Sequence, residues 1–241
     1  RHRGIVAAVS AALLAVVAGL GVAVWQRNEA LRERARAETQ FEDTRKLANA
    51  LLFKVHDAVA QVPGATEARR VIVTEAITYL DRLAASSESP ALRVELARGY
   101  KQVGRVQGDP QIPNLGDLPA AKASFQRALA LLAPLLREKS VGAEATLEAV
   151  NVNRLLSQLE RTLGNRDASL AASKTALSLA ESLLSRDPAS DEYRRLLASA
   201  HFTVAYALAP GEDAMPHWAE AERLFGALLA ERPDDADRMR N

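Results

Sequence analysis

Residues 118–137 read LPAAKASFQRALALLAPLLR, and this stretch decides the fold. Ala121, Phe125 and Ala128 are spaced three or four residues apart, which places them on one face of a helix. The same pattern returns twice further on. Ser169 is followed by Ser173 and Ala176, and Ala221 by Phe225, Leu228 and Pro233, so the starts lie 48 and 52 residues apart. The helices in front match as well: Leu96-Ala97 with Tyr100 and Gly104, Leu156-Ser157 with Glu160 and Gly164, Leu197-Ala198 with His201. Recurrence at a near-fixed period is the signature of stacked supersecondary units.

Working outward, glycines and prolines punctuate the chain. Gly164-Asn165, Asp187-Pro188, Pro210-Gly211 and Arg232-Pro233 are breaks. Between them the sequence predicts helices over 118–137, 142–163, 167–185, 191–209 and 216–230. Upstream, residues 66–85 present Ile72, Ala76, Tyr79 and Leu83 on one face, flanked by Val73, Ile77 and Leu80. Residues 86–89 read as a loop, and Ser89-Pro90 as an N-cap with proline in the first turn of a helix running to about 106. GDPQIPNLGDLP, residues 108–119, is too rich in Gly and Pro to be helical. No stretch alternates with a period of two, so the expected fold is all-α: antiparallel helical hairpins joined by short turns.

The first quarter of the chain is different. Residues 5–25, IVAAVSAALLAVVAGLGVAVW, carry no charge. At about 1.5 Å per residue they make a helix roughly 31 Å long, enough for a hydrocarbon core of about 30 Å. Trp25 and the flanking arginines suit the interfaces. The run exceeds a signal-peptide core of about 7–15 residues and lacks a small-residue cleavage site, so it reads as a retained anchor. Ala7, Ala11, Ala15, Gly19 and Ala23 recur every fourth residue, a stripe that lets two spans pack closely and allows a homodimer. An Ala-rich segment also produces such stripes by chance.

After the span, residues 26–46 interleave Arg and Lys with Glu and Asp, which supports a solvated stalk helix. Leu47, Leu51, Leu52, Val55 and Val59 then form an apolar stripe that ends at Pro63-Gly64. The expected organisation is a juxtamembrane stub (1–4), a transmembrane helix (5–25), a stalk (26–62) and a helical repeat domain (63–241) with its loop at 108–119.

Composition narrows the function. A net charge of +1 gives no support to nucleic-acid binding, and the lack of cysteine removes disulfides and thiolate metal sites. No phosphate-cradling glycine loop, HRD-type catalytic loop, DFG, Walker loop or HExxH occurs. His2, His56, His201 and His217 are scattered, and His201 falls on a repeat packing position. With no nucleophile, base and orienting partner in sight, no catalytic residue, metal or cofactor is expected in this chain.

The small, aromatic and terminal-proline positions resemble the tetratricopeptide repeat. Small residues let two helices of a hairpin approach, while the aromatic fills the gap to the next hairpin. The resemblance implies a right-handed α-solenoid, with departures: a period longer than 34, serines at two signature positions of the middle repeat, and an interrupting loop. In that family the first helix of each hairpin lines a groove. Carried over residue by residue, the groove comprises Arg98, Lys101 and Gln102, then Asn151, Arg154, Gln158 and Arg161, then Arg195 and Phe202. Such a set suits a carboxylate or an acidic peptide, since Arg can fork onto both oxygens. The plain alternative is the solvated face of Arg-rich helices. The 108–119 loop is a second candidate binding element.

A longer ordered series, RHR, the span, WQRNEALRERARAE, RKLANALLFKVHDAVAQVPGAT, AITYLDRLA and GRVQGDPQIPNLGDLPAAKASFQRAL, covers residues 1 to about 136. It resembles the region after the catalytic domain in membrane-bound bacterial serine/threonine protein kinases with tetratricopeptide repeats. The resemblance implies that Arg1 is internal to a longer protein, that DDADRMRN opens a further helix, and that the kinase lies N-terminal and cytoplasmic. The repeats would then be an extracytoplasmic sensor or docking region binding a protein or peptide. Charge alone does not favour that orientation, with Arg27, Arg32, Arg34 and Arg36 following the span. A membrane-anchored repeat scaffold of an envelope or secretion complex is the other reading, and an enzyme built on a helical solenoid a third.

Overall fold

The structure, a computed structural model, describes residues 27, 29, 66–85, 89–137, 142–208 and 213–231. The expected span at 5–25 with its stripe of Ala7, Ala11, Ala15, Gly19 and Ala23, nearly all of the stalk, and the breaks at Pro63-Gly64, Pro210-Gly211 and Arg232-Pro233 lie outside the described residues. Among the described residues no helix is long and apolar enough to cross a membrane. One of the chain's two units, Val55–Asn241, contains all seven helices treated below.

These are α1 (Thr66–Ala85), α2 (Pro90–Gly108), α3 (Leu118–Arg137), α4 (Ala143–Thr162), α5 (Arg166–Arg186), α6 (Asp191–Ala207) and α7 (Met215–Glu231). The described residues are all-α, and each helix packs antiparallel on its neighbour in sequence. Beyond those sequential pairs, α2 touches α4 and α4 touches α6. Alternate helices therefore form a row of their own, and that row builds the candidate site.

The small residues of the repeat pattern sit where helices cross. A Cβ added to Gly104 would stand 2.6 Å from Phe125 Cε1, so the bare backbone of α2 admits the Phe125 ring from α3. Ala121 and Ala128 are fully buried on the same crossing. In the middle pair, serines do this work. Ser169 and Ser173 are buried, Ser169 Oγ donates to the Ser157 carbonyl (2.9 Å), and the Ser157 and Ser169 hydroxyls lie 3.1 Å apart. A hydroxyl is small enough for a close crossing once its hydrogen bond is met inside the pair. The end helix repeats the pattern less completely, with Ala221 and Leu224 buried and Phe225 half-buried.

Two details differ from the sequence reading. The buried face of α1 is Val73, Ala76, Leu80 and Leu83, with Ile72, Ile77 and Tyr79 only half-buried at its edges. Leu80 sets this rotation, because its methyls occupy the space that a Cβ at Gly99 would need, 2.7 Å away. The 108–119 loop is the second: Gly108 still belongs to α2, and Leu118 and Pro119 already belong to α3. Gly164, aligned with Gly104 in the repeat, is the expected break. Helix α4 ends earlier in its repeat than α2, and Gly164 follows its end at φ +80°, where an added Cβ would meet nothing within 4 Å. The Gly164 N–H bonds the Arg161 carbonyl (3.1 Å) and the Asn165 N–H the Glu160 carbonyl (2.8 Å), a Schellman closure that uses the left-handed freedom of glycine.

Ser190 caps α6 by accepting from the Tyr193 N–H at 3.3 Å. Ser89 stands at the expected N-cap of α2, but its side chain makes no cap bond, and proline in the first turn provides the start.

Candidate functional site

Three adjoining cavities run along the shared face of α2, α4 and α6. The first, about 300 Å³, lies between α4 and α6 and is walled by Gln158, Arg161, Phe202 and Tyr206. The second, about 330 Å³, lies between α2 and α4 and includes Lys101, Gln102, Asn151 and Arg154. The third, about 240 Å³, includes Asn151, Arg154, Glu192 and Arg195. Gln111 and Gln158 belong to both of the first two, and Asn151 and Arg154 to both of the last two, so the row is continuous.

Gln111 comes from the long connection between α2 and α3, which forms a wall of this groove. The connection is built rather than slack. Buried Asp109 takes the Arg105 Nε–H at 2.9 Å and the Gln111 N–H at 3.0 Å. Asn114 Nδ2 donates to the Asp109 carbonyl, and the Leu115 and Asp117 N–H groups return to the Val106 and Gln107 carbonyls. Gly116, at φ +74°, makes the reversal, and the Asp117 carboxylate accepts from the Ala120 N–H at the start of α3. Arg69 of α1 holds the far side through Nη2 on the Pro113 carbonyl at 2.8 Å.

The sequence-derived groove set separates into two electrostatic halves. On α2, Arg98 Nε and Lys101 Nζ both donate to the buried Glu148 carboxylate of α4, at 2.7 and 2.6 Å, and Arg98 Nη2 reaches Glu144 at 2.6 Å. Burial works against the Arg98 charge, but Glu148 and Glu144 outweigh it and hold its pKa above the ordinary value. Arg98 lines none of the three cavities. Its charge and that of Lys101 are therefore answered from within the fold.

The α4 half is different. Arg154 is half-buried, makes no ion pair with any described residue, and has a distant hydroxyl contact, Nε to Thr203 Oγ1 at 3.4 Å. Burial alone lowers its pKa from the ordinary value. One turn on, the buried Gln158 Oε1 has no hydrogen-bond partner among the described residues. Arg161 lies over the Tyr206 ring at 5.7 Å, a cation–π contact in place of a carboxylate. Arg195 of α6 is exposed in the third cavity. Unanswered positive charge thus concentrates on α4 and α6.

Phe202 and Tyr206, 40% and 50% exposed, close one end of the groove. With Trp218 of α7 they form a triangle of rings with centroids 4.8, 5.0 and 4.9 Å apart. Beside it, His201 and His217 meet Nδ1 to Nδ1 at 3.0 Å. Glu160, the α4 counterpart of Tyr100 and His201 in the repeat alignment, is buried against Lys122 at 2.7 Å and Asn165 at 2.7 Å.

Glu148, Gln111, Thr203 and Tyr206 were not singled out from sequence. Glu148 lies three residues before Asn151 and Tyr206 four after Phe202, so both continue stripes already marked. That spacing is the signal that finds them. No protein-family profile matches this chain, and no curated protein matches it either.

Proposed function

We propose that the helical unit is a binding module of the tetratricopeptide type, a right-handed solenoid whose α2–α4–α6 groove receives an acidic peptide segment of a partner protein. Arg154 carries the reading. A guanidinium withdrawn from water without a carboxylate costs folding free energy, and an incoming carboxylate in that groove would recover it. Arg161 and Arg195 extend the positive face, while Glu148 restrains the α2 side. The pattern asks for a short acidic stretch on α4 and α6 rather than an anion spread along all three helices.

The module belongs, in this proposal, to the membrane-anchored sensor region of a serine/threonine kinase, with the 5–25 run as its single span. The ordered series of sequence segments over residues 1 to about 136 supports this part. Binding of a partner to the repeats would change kinase proximity across the span.

The groove is tested with the whole chain held in detergent and peptide pools matched in length, one rich in Glu and one with each Glu replaced by Gln. Retention of the acidic pool, weakening as salt rises, is expected; equal retention of both pools sinks the reading. The kinase part is tested on the reading frame before Arg1, where a catalytic loop and a magnesium-binding motif are expected and a start codon within a few residues refutes it. Protease shaving of intact cells, read with an antibody to the repeats, tests their extracytoplasmic placement, which protection after confirmed surface access would refute.

A further inference from the structure

The polar cavity holding Arg154 and the ring-walled cavity beside it meet at Gln158 and Gln111. Their linings ask for different chemistry. In the ring-walled cavity the serine and threonine hydroxyls are already satisfied: Ser157 and Ser169 bond each other, Ser169 also donates to the Ser157 carbonyl, and Thr203 donates to the Ser199 carbonyl at 2.8 Å. Apart from Gln158 Oε1, what remains uncovered beside Arg161 and Gln111 is ring surface. Phe202 and Tyr206 keep much of their ring surface in water although Trp218 packs edge-on to both. Exposed rings beside a cavity mark a contact surface more strongly than scattered apolar residues do. The volume, about 300 Å³, is at the lower end of ligand pockets, enough for one large side chain and too little for a nucleotide.

We propose that this cavity is a socket for a single large apolar or aromatic side chain of the same acidic segment, one or two residues from the carboxylate that meets Arg154. The inference rests on the acidic-peptide reading above and names the second element of its specificity. The spacing follows from the shared wall: Gln158 and Gln111 line both cavities, so the two adjoin, and an extended chain advances about 3.3 Å per residue. The buried Gln158 Oε1 lies at the junction and lacks a donor. A backbone N–H between the acidic and the apolar residue supplies one. Arg161, seated over Tyr206, keeps the mouth of the socket positive, so an acidic flank is accepted there and a basic one rejected.

The test uses the whole chain in detergent and fluorescein-labelled octapeptides of Gly and Ser, with Glu at position four and a variable residue at position five or six. Anisotropy should give Phe, Tyr or Leu peptides at least about tenfold tighter binding than the Ala peptide. Tyr206→Ser should cut that preference to about twofold or less while leaving the dependence on Glu intact. Phe202→Ala should do the same; both rings pack on Trp218, so helicity and melting are checked on each variant, and Tyr206→Phe, which keeps the ring, should retain the preference. Equal binding of Phe and Ala peptides, with Glu still required, overturns the socket and leaves the acidic reading standing. Binding indifferent to Glu, or none tighter than ~1 mM, overturns both. Self-association of the chain abolished by Tyr206→Ser would overturn the socket in favour of a second copy on this surface.

Discussion

Lys101 on α2 donates through Nζ to Glu148 on α4 at 2.6 Å, and this pair, with Arg98 on the other carboxylate oxygen and on Glu144, answers two of the five positive charges of the groove set. Glu148 is therefore an internal competitor for any acidic partner. Glu148→Gln releases Lys101 into the groove, and roughly fivefold tighter binding of a Glu-rich peptide is expected, about 1 kcal/mol. The same variant should unfold at lower temperature, since Lys101 loses its buried partner. Anisotropy and a thermal melt on one preparation check both; unchanged or weaker peptide binding contradicts the division of the groove.

Two glycines make opposite predictions about stability. Gly104→Ala forces a Cβ to 2.6 Å from Phe125, and an overpacked crossing costs about 1–3 kcal/mol. Gly226, inside α7, has nothing within 4 Å of an added Cβ. Alanine there should stabilise by about 0.5–1 kcal/mol through helix propensity. Urea unfolding of the two variants measures the contrast, and a like sign for both would remove the close crossing from the account.

The His201 and His217 rings share one hydrogen bond, which needs a neutral nitrogen on one of them. Burial first, then His217, lowers the pKa of His201; Glu220 of α7 and Glu181 of α5 oppose this and Arg223 of α7 adds to it. The unfolded chain therefore takes up this proton near pH 6.5, before the folded one does. The contribution is present above about pH 6.5 and falls as pH drops through that value towards the lower folded one. Urea unfolding at pH 7.5, 6.5 and 5.5 should show this decline, smaller in His201→Gln. An identical pH dependence in the variant would contradict it.

Buried Asp109 holds the groove wall by accepting from both Arg105 and the Gln111 N–H. Asp109→Ala should destabilise by about 1–3 kcal/mol and weaken peptide binding, because Gln111 loses its position between two cavities. Loss of stability with peptide affinity unchanged would show that the wall is structural only.

Helix existence was legible because glycines and prolines fall between runs of helical spacing, and the seven elements begin and end within about two residues of the sequence reading. The rotation of α1 was not, because Ile72 and Val73 are equally apolar and only the notch at Gly99 chooses between them. Gly164 aligns with Gly104 in the repeat, but the Gly164-Asn165 pair marks it as a helix break, and there it closes α4. At the groove, the stripes on α2, α4 and α6 were readable from periodicity. The neutralising carboxylates were not: Arg98 and Glu148 are 50 positions apart, and their meeting depends on how α2 docks against α4. The aromatic wall needed Trp218 from a helix outside the row.

The central claim is that Arg154 and Arg161 receive the partner's acidic groups. Its most direct test is the affinity of a Glu-rich fluorescent peptide for the whole chain and for the double variant Arg154→Glu with Arg161→Glu, with helicity and melting checked on the same samples. A loss of roughly a hundredfold or more is expected, as two charge-assisted contacts turn repulsive. Equal affinity in a folded double variant would contradict it.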